Sequence, residues 1–595
     1  VLNPLAARTT ASDALSASYF GLNYRLAAEG SNYLTASLPV GPLQHYWSLS
    51  VEEQFYVLWP ALLLAASMAW WRRRRAPSVA GVATVLGVVL VGSFAVSVLQ
   101  SATSPSWDYY SLLSRAWELA AGGLVGLALP HLRRLPPAVA AAVGWTGLSG
   151  IVLAAFVVSD ATPWPGWATL LPVGATAAVI VSGSGLVLPA SGPERLLGTP
   201  PFQFVGRISY SWYLWHLPVL VLGAAAIGHA LSPVQTVAAV ALSFALAVVS
   251  YTLVEKPFRH WDVLIRRPRR GIAVGGALAS VAMVAAIGLP SAMPALAGTG
   301  PPATLPPSAT LTPAAVRSAL VAGLATTAVP VNLEPSLEGA AADVPIVYDD
   351  GCALAYAPTS GPPCVFGDVG GTRTVVLFGD SHAAQWFPAL EELSGRYHWR
   401  LVSLTKSGCP APAVAVDQGN STAPYPQCNA WRTWAERRID RLRPALVVVS
   451  WDRLFATSAT ALPGARPEAP VWTAGVAATF AALRGSGAKV AFISDTPFVP
   501  GPTCVAVHLS DVTSCDVPAD RASLLPQVKR DEMAVARADG VHVIDPTPWF
   551  CTSRGCPVIV GNVLVYRDTE HVVPQYVDWL APMLGADLTA ILRSR

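Results

Sequence analysis

Thr374-Val375-Val376-Leu377-Phe378-Gly379-Asp380-Ser381-His382-Ala383-Ala384-Gln385 is the stretch on which the reading of the chain turns. Thr374 to Phe378 form a strand-like apolar run, Gly379-Asp380-Ser381 a turn, and a helix-like segment begins at His382. A strand that feeds a glycine-containing turn and then a helix lifts one hydroxyl to the carboxyl end of a sheet. There it lies beside the unpaired N–H groups of a helix start, a suitable place for a nucleophile. Serine is a weak nucleophile until a base removes its proton, so a histidine is required from elsewhere. Tyr566-Arg567-Asp568-Thr569-Glu570-His571 supplies one. A carboxylate three residues before an imidazole places both on one turn, with Asp568 orienting a His571 that faces Ser381. A GDS triplet or a D-x-x-H arises easily by composition. The two in this order, the second ahead of a terminal amphipathic segment (Val572–Leu592), favour a triad over coincidence.

This half resembles the SGNH/GDSL hydrolase family, whose first block is GDS and whose last is D-x-x-H. The resemblance implies that Ser381 is the nucleophile, His571 the base and Asp568 its orienter. Around these blocks strands and helices alternate: strands at Thr374–Phe378, Arg400–Thr405, Ala445–Ser450, Lys489–Ser494 and Val541–Ile544, with helices at 383–394, 430–442, 473–486, 519–538 and from about 574. Alternation predicts an α/β three-layer SGNH-like domain with a parallel sheet, its ligands at the carboxyl ends of the strands. Lys406-Ser407-Gly408-Cys409 follows the second strand, and the backbone N–H of Gly408 joins that of Ser381 as an expected oxyanion hole. Trp451-Asp452-Arg453 follows the third, where many SGNH enzymes carry an oxyanion asparagine. None stands here, and Trp451 is read as shaping the acceptor pocket. His382 and His542 are read as structural.

The 595 residues are 53% hydrophobic and only 13% charged, too apolar for a chain wholly in water. A net charge of +3 without a basic patch interleaved with aromatics excludes a nucleic-acid partner. All eight cysteines lie after residue 350. An even, closely spaced set confined to the less apolar half reads as disulfides in an oxidising compartment. Zinc is disfavoured because the spacings are not CxxC and no histidines are interleaved at ligand distances, so no metal is expected. Sequential pairing is favoured, 352–364, 409–428, 504–515 and 551–556, among on the order of a hundred possible pairings.

Eight apolar runs of spanning length occupy about 54–70, 79–99, 111–129, 138–158, 170–188, 209–227, 234–254 and 271–289. Arg72–Arg75, His131-Leu132-Arg133-Arg134, Glu194-Arg195 with Arg207, and Lys256 to Arg270 make every second loop basic. By the positive-inside rule these loops are cytoplasmic and everything after Leu289 is extracytoplasmic, where the cysteines independently belong. The count also places residues 1–50 outside without a signal peptide, so an odd number of spans is expected to be missing ahead of Val1. Residues 290–345, rich in Pro, Ala and Thr, read as a semi-extended tether containing at most a short helix at Ala314–Ala328.

The apolar half also carries polar groups that anchoring alone does not require. His45-Tyr46-Trp47-Ser48-Leu49-Ser50-Val51-Glu52-Glu53-Gln54-Phe55-Tyr56 places two carboxylates at the mouth of the first span. Arg115 and Glu118 lie one turn apart and are expected to pair. Gly206-Arg207-Ile208-Ser209-Tyr210-Ser211-Trp212-Tyr213-Leu214-Trp215-His216 opens the sixth span, with His216 deeper than an interfacial belt needs, and Glu255-Lys256-Pro257-Phe258-Arg259 closes the seventh as a structural cap. In this order the motifs resemble the acyltransferase-3 family of multi-pass membrane proteins over about residues 1–260. Together with an outward SGNH domain they resemble the fused O-acetyltransferases that decorate bacterial surface glycans. The resemblance implies a multi-pass bacterial membrane protein and no permanently bound cofactor. An acyl group, usually acetyl, is taken from cytoplasmic acyl-CoA and passed to a sugar hydroxyl of an envelope glycan or lipid-linked glycan. The family's catalytic histidine and arginine motifs belong to the spans expected to be missing. Glu53 is the leading remaining membrane candidate, with Glu52, His45, Arg207, Tyr210 and His216 beside it. A tethered carbohydrate esterase using the same triad, and a non-enzymatic glycan-binding or transport protein, are the alternatives.

Overall fold

The computed structural model describes the chain except residues 32–40, 73–78, 160–161, 163, 186–190, 294, 420–423, 463–469 and 595; at 30, 31, 66–72, 102, 103 and 105 it describes the backbone alone. Arg73–Arg75 of the first basic loop therefore lie outside the described residues. The chain divides into two compact units, Ala6–Pro294 and Ala295–Arg595.

Among the described residues of the first unit, seven helices are long and apolar enough to cross a membrane: Val79–Ser101, Ser106–Leu132, Pro137–Val157, Gly166–Gly183, Pro200–Ile227, Pro233–Arg259 and Pro268–Ala292. They fall on seven of the eight expected runs. The first run lies in the helix Trp47–Arg72, which contains Pro60 and is not among the seven. Between 6% and 33% of each apolar window is buried within the unit, so most of the apolar surface faces outward, as lipid requires.

The second unit is built on strands β1 (Ala353–Leu354), β2 (Val365–Gly367), β3 (Arg373–Gly379), β4 (Trp399–Lys406), β5 (Leu446–Ser450), β6 (Lys489–Ile493) and β7 (His542–Ile544). They form one sheet in the order β1-β4-β3-β5-β6-β7, all parallel, with β2 added antiparallel on β4. The side-chain period of two sorts the strand residues into separate cores. Val375, Leu377, Leu446, Val448, Ala491 and Ile493 belong to one, and Val376, Phe378, Val447, Val449, Val490 and Phe492 to the other. Helices cover both faces, which gives three layers. A short hairpin, β8 (Ile559–Val560) with β9 (Val563–Leu564), precedes the final helices.

Two expectations change. The helix placed at 519–538 begins only at Pro526, whose fixed φ suits a first turn, and runs to Ala538. Residues 295–345 are not a tether: Val316, Leu320, Val329, Leu337 and Ala340 are buried in the same core as Val375 and Leu377. The helix Pro313–Gly323 starts at Thr312, whose hydroxyl accepts the Ala315 N–H at 3.2 Å, and buries an i, i+4 apolar pair. The prolines fix an extended path between such anchors, and the backbone is tied down by Val329 N to Leu509 O at 2.9 Å and Glu334 N to Asn562 O at 2.8 Å. Low charge with spaced apolar residues is the composition of a buried segment, and that outweighs the proline content.

All four sequential disulfides are present, Cys352–Cys364, Cys409–Cys428, Cys504–Cys515 and Cys551–Cys556, leaving no free cysteine.

Candidate active site

Strand β3 ends at Gly379, which has φ +145°; a Cβ there would lie 2.0 Å from Ser450 O, so only glycine lets β3 and β5 run this close at the turn. Asp380 then caps the short helix Ser381–Ala384. One carboxylate oxygen accepts the His382 N–H at 2.9 Å, and the other accepts the Asp452 N–H at 2.9 Å, which stitches the turn to the end of β5. Burial pushes the Asp380 carboxyl up to about 7. These constraints present Ser381, 3% exposed, at the carboxyl edge of the sheet.

His571 comes from the far end of the chain, and its Nε2 lies 2.9 Å from Ser381 Oγ. Its Nδ1 lies 2.8 Å from Asp568 Oδ2. The second oxygen of Asp568 accepts the backbone N–H groups of Glu570 at 2.8 Å and His571 at 2.7 Å, so the D-x-x-H turn is held by its own carboxylate. Gln385 clamps it from the other side, accepting the Val572 N–H at 2.9 Å. A carboxylate on Nδ1 fixes the proton there and leaves the Nε2 lone pair toward the serine hydroxyl, the tautomer a general base needs.

The two partners are shifted in the same direction by different causes. Burial pushes the His571 imidazole down to about 4, and the Arg567 guanidinium adds to this against the pull of Asp568. For Asp568 burial alone would raise the carboxyl. The His571 charge and hydrogen bond, with Arg567, outweigh it and hold the group well below the usual carboxylate range. The Asp568 side chain keeps 34% of its surface exposed against 7% for His571, so water assists its ionised form while His571 is held neutral.

Gly408 lies just past β4, whose Thr405 is in register with Gly379, so its loop leaves the sheet on the edge that carries Ser381. Its φ of +58° and the 3.0 Å approach of Tyr356 to a would-be Cβ require glycine. Lys406 fixes the neighbouring loop by donating to the carbonyls of Ala355, Tyr356 and Pro358 at 2.6–2.7 Å. Trp451 does not shape a pocket: it is 1% exposed, stacks on Phe492 at 4.4 Å and donates to Glu532 at 2.8 Å. Its place at the end of a strand suggested a site, but its ring turns into the core. His542 opens β7 and is exposed.

His382 is buried beside the site, with Nδ1 2.6 Å from Asp495 Oδ1 and its ring 4.8 Å from that of His571. Asp495 and Gln385 were not singled out by the sequence. The signal for Asp495 was present in its position directly after a parallel strand, at the carboxyl edge where ligands bind.

In the first unit three of the singled-out motif residues converge on one helix. Pro218 inside Pro200–Ile227 has no N–H for the carbonyl of Leu214, and that carbonyl accepts the Tyr46 hydroxyl at 3.3 Å instead. The carbonyl of Tyr213 next to it is met at 2.8 Å by both His45 Nε2 and His216 Nδ1, and the two rings lie 4.9 Å apart. A carbonyl only accepts, so both tautomers are set. Glu52 accepts the Tyr56 hydroxyl at 2.6 Å, and Glu52 and Glu53 are electrostatic neighbours of Tyr210. Arg207 is exposed and makes no ion pair among the described residues. Arg115 pairs with Glu118 at 2.8 Å as expected, and Glu255 accepts the Ser211 hydroxyl at 2.8 Å, a helix-to-helix tie that suits its structural reading.

Comparison with known proteins places both units. An acyltransferase-domain family matches residues 11–252, and a family described as an SGNH domain fused to AT3 domains matches residues 350–586. The YrhL protein of Bacillus subtilis (strain 168) is 30% identical over 263 residues, 42% of this chain and 40% of that protein. The peptidoglycan O-acetyltransferase OatA of Listeria monocytogenes serovar 1/2a is 26% identical over 255 residues, 42% of this chain and 40% of OatA. These alignments thus span 40% of the length of either relative. Among solved structures, the periplasmic domain of a lipopolysaccharide acetyltransferase from Salmonella ser. Paratyphi A aligns over 37% of this chain and 84% of its own, with 16% identity and a TM-score of 0.30.

Proposed function

The chain joins an acyltransferase domain to an SGNH domain of the kind fused to it, and from that premise we propose that it is an O-acyltransferase of envelope glycans, with acetyl as the group transferred. The observation that carries the reading is the Ser381–His571–Asp568 relay, at 2.9 and 2.8 Å, in a chain that also has a membrane acyltransferase domain. In this reading the membrane unit draws the acyl group from cytoplasmic acyl-CoA, and the α/β unit stands on the extracytoplasmic side. Its four disulfides and the alternation of basic loops support that side.

The chemistry then follows from the geometry. His571 Nε2 takes the proton of Ser381 as Oγ attacks the acyl carbonyl, and returns it to the leaving group, which yields an acyl-serine. The N–H groups of Ser381 and Gly408 are the proposed donors to the tetrahedral oxyanion. An incoming sugar hydroxyl gives its proton to the same Nε2 and attacks the acyl carbonyl; Nε2 then passes that proton to Ser381 Oγ as the acyl–serine bond breaks, which frees the ester product. Asp568 stays ionised throughout and stabilises the transient imidazolium.

The same triad would serve an esterase with water as acceptor. Mass spectrometry of envelope glycan from cells carrying Ser381→Ala decides between them. Lost acylation supports transfer, gained acylation supports hydrolysis, and an unchanged glycan removes the serine chemistry altogether.

A further inference from the structure

Two acid–imidazole pairs converge on Ser381. Beside Asp568–His571 stands His382, the residue directly after the nucleophile, with Asp495 on its Nδ1 at 2.6 Å and its ring edge-to-face on that of His571 at 4.8 Å. His382 is 2% exposed, so this is no passing surface contact. A backbone carbonyl would satisfy a buried imidazole. Here a carboxylate does so, and that carboxylate is secured in turn. Asp495 accepts the Arg453 N–H at 3.3 Å and lies 3.8 Å from the Arg453 guanidinium. Arg453 is matched by the buried Glu532 at 3.0 Å, which also accepts from Trp451 and Trp472 at 2.8 and 2.9 Å. Charged groups buried this deeply stabilise a fold little compared with apolar packing, so stability alone does not account for their place beside a nucleophile.

The charges facing the two rings decide what that use is. Around His382 stand Asp380 at the end of β3, Asp452 after β5, Asp495 after β6 and Glu570 in the D-x-x-H turn; around His571 stand Asp568, Arg567 and His382 itself. Burial alone would lower the His382 pKa, but Asp495, Asp452 and Asp380 outweigh it and hold the ring well above the ordinary histidine value.

We propose that His382 is a positioning residue of the reaction: as an imidazolium held by Asp495 it fixes the His571 ring and, by its charge, keeps that ring unprotonated, so the base remains available in acidic surroundings. The inference rests on Ser381–His571–Asp568 being the working triad.

The test is the pH profile of kcat/KM for hydrolysis of a chromogenic acetate ester by the full chain in detergent, for the native sequence, His382→Gln and Asp495→Asn, with Ser381→Ala as control. Removing a positive charge beside His571 raises its pKa, so the acid limb moves to higher pH in His382→Gln, whereas Asp495→Asn removes a negative charge and is the control of opposite sign. The expected shift is roughly 2 pH units for a unit charge about 5 Å away at an effective dielectric of about 20. A merely structural role would lower the rate by one factor at every pH. That result, or a His382→Gln limb that moves to lower pH, overturns the proposal. His382→Asn removes the same charge and carries the test if His382→Gln does not fold. Hydrolysis that survives Ser381→Ala removes the triad and the proposal with it. An unmoved limb with Ser381→Ala inactive removes the proposal alone.

Discussion

The two units hold the histidines of their motifs by different acceptors, and the difference separates their chemistry. In the α/β unit His571 rests on a carboxylate, at 2.8 Å from Asp568. In the membrane unit His45 and His216 share one backbone carbonyl, that of Tyr213, each at 2.8 Å. A carboxylate stabilises the imidazolium that appears when a base takes a proton, so His571 can cycle between its two states. A carbonyl fixes a tautomer and offers far less to a cation, and a surrounding of low dielectric makes a full charge costly. His45 and His216 are therefore fixed in orientation by that one carbonyl. His45 Nδ1 is buried and has no hydrogen-bond partner among the described residues.

The most severe way to break this contrast is to remove the cycling base. Ser381→Ala and His571→Ala should each lower kcat/KM for ester hydrolysis by about 10³-fold or more, and the double variant should be no worse than either single one, because the groups act as a unit. Additive losses would mean that His571 does not serve Ser381. A smaller change addresses the other half of the contrast. His216→Ala is expected to reduce acylation of envelope glycan by about tenfold or more while hydrolysis of a soluble ester at Ser381 changes less than about twofold. A parallel fall in both assays would place His216 in the stability of the chain and not in the supply of acyl groups.

The contrast is sharpened further by pH. Burial holds His571 down to about 4, below the ordinary histidine value, so the base form persists where a free imidazole would be protonated. The acid limb of kcat/KM for the native chain should fall near pH 4 to 5, and an inflection at about 6.5 would show that the ring is not enclosed as described. The same shift has a sign for stability. A histidine kept neutral in the fold binds fewer protons than the unfolded chain between about pH 4 and 6.5, so this group's contribution is full above that window and is lost as pH falls through it.

How much of this was legible in the sequence follows from which interactions are local. The strand Thr374–Phe378, the turn at Gly379-Asp380-Ser381 and the D-x-x-H turn are each specified within about a dozen residues, and each was readable. Their meeting across 190 positions was inferred from chemistry, since a serine needs a base, and the 2.9 Å contact agrees. The four disulfides span 5 to 19 residues each, and nearest-neighbour pairing predicted them. What stayed hidden is set by the tertiary arrangement. Asp495 and His382 are 113 residues apart, and nothing local in either marks the other. Trp451 stands at a strand end like a site residue, and only the packing shows its ring turned inward onto Phe492. The carbonyl that receives His45 and His216, that of Tyr213, has no sequence letter of its own.

The contrast finally depends on where the α/β unit begins, because a unit tethered by a loose chain and one whose core includes that chain respond differently to change. Residues 290–345 read as a tether by composition, yet Leu320 is 1% exposed in the core shared with the central strands. Leu320→Ala should then destabilise the unit by about 2 to 5 kcal/mol, as the loss of a buried leucine does elsewhere. Thr312→Ala, which removes only the hydroxyl that caps the helix Pro313–Gly323, should cost about 1 kcal/mol. Both are read from the denaturant midpoint of near-ultraviolet circular dichroism. In a free tether neither side chain would have a folded state to stabilise, and both midpoints would stay where they were. The smaller change is the more telling, since a cap acts only on a helix already held in register by the packing beneath it.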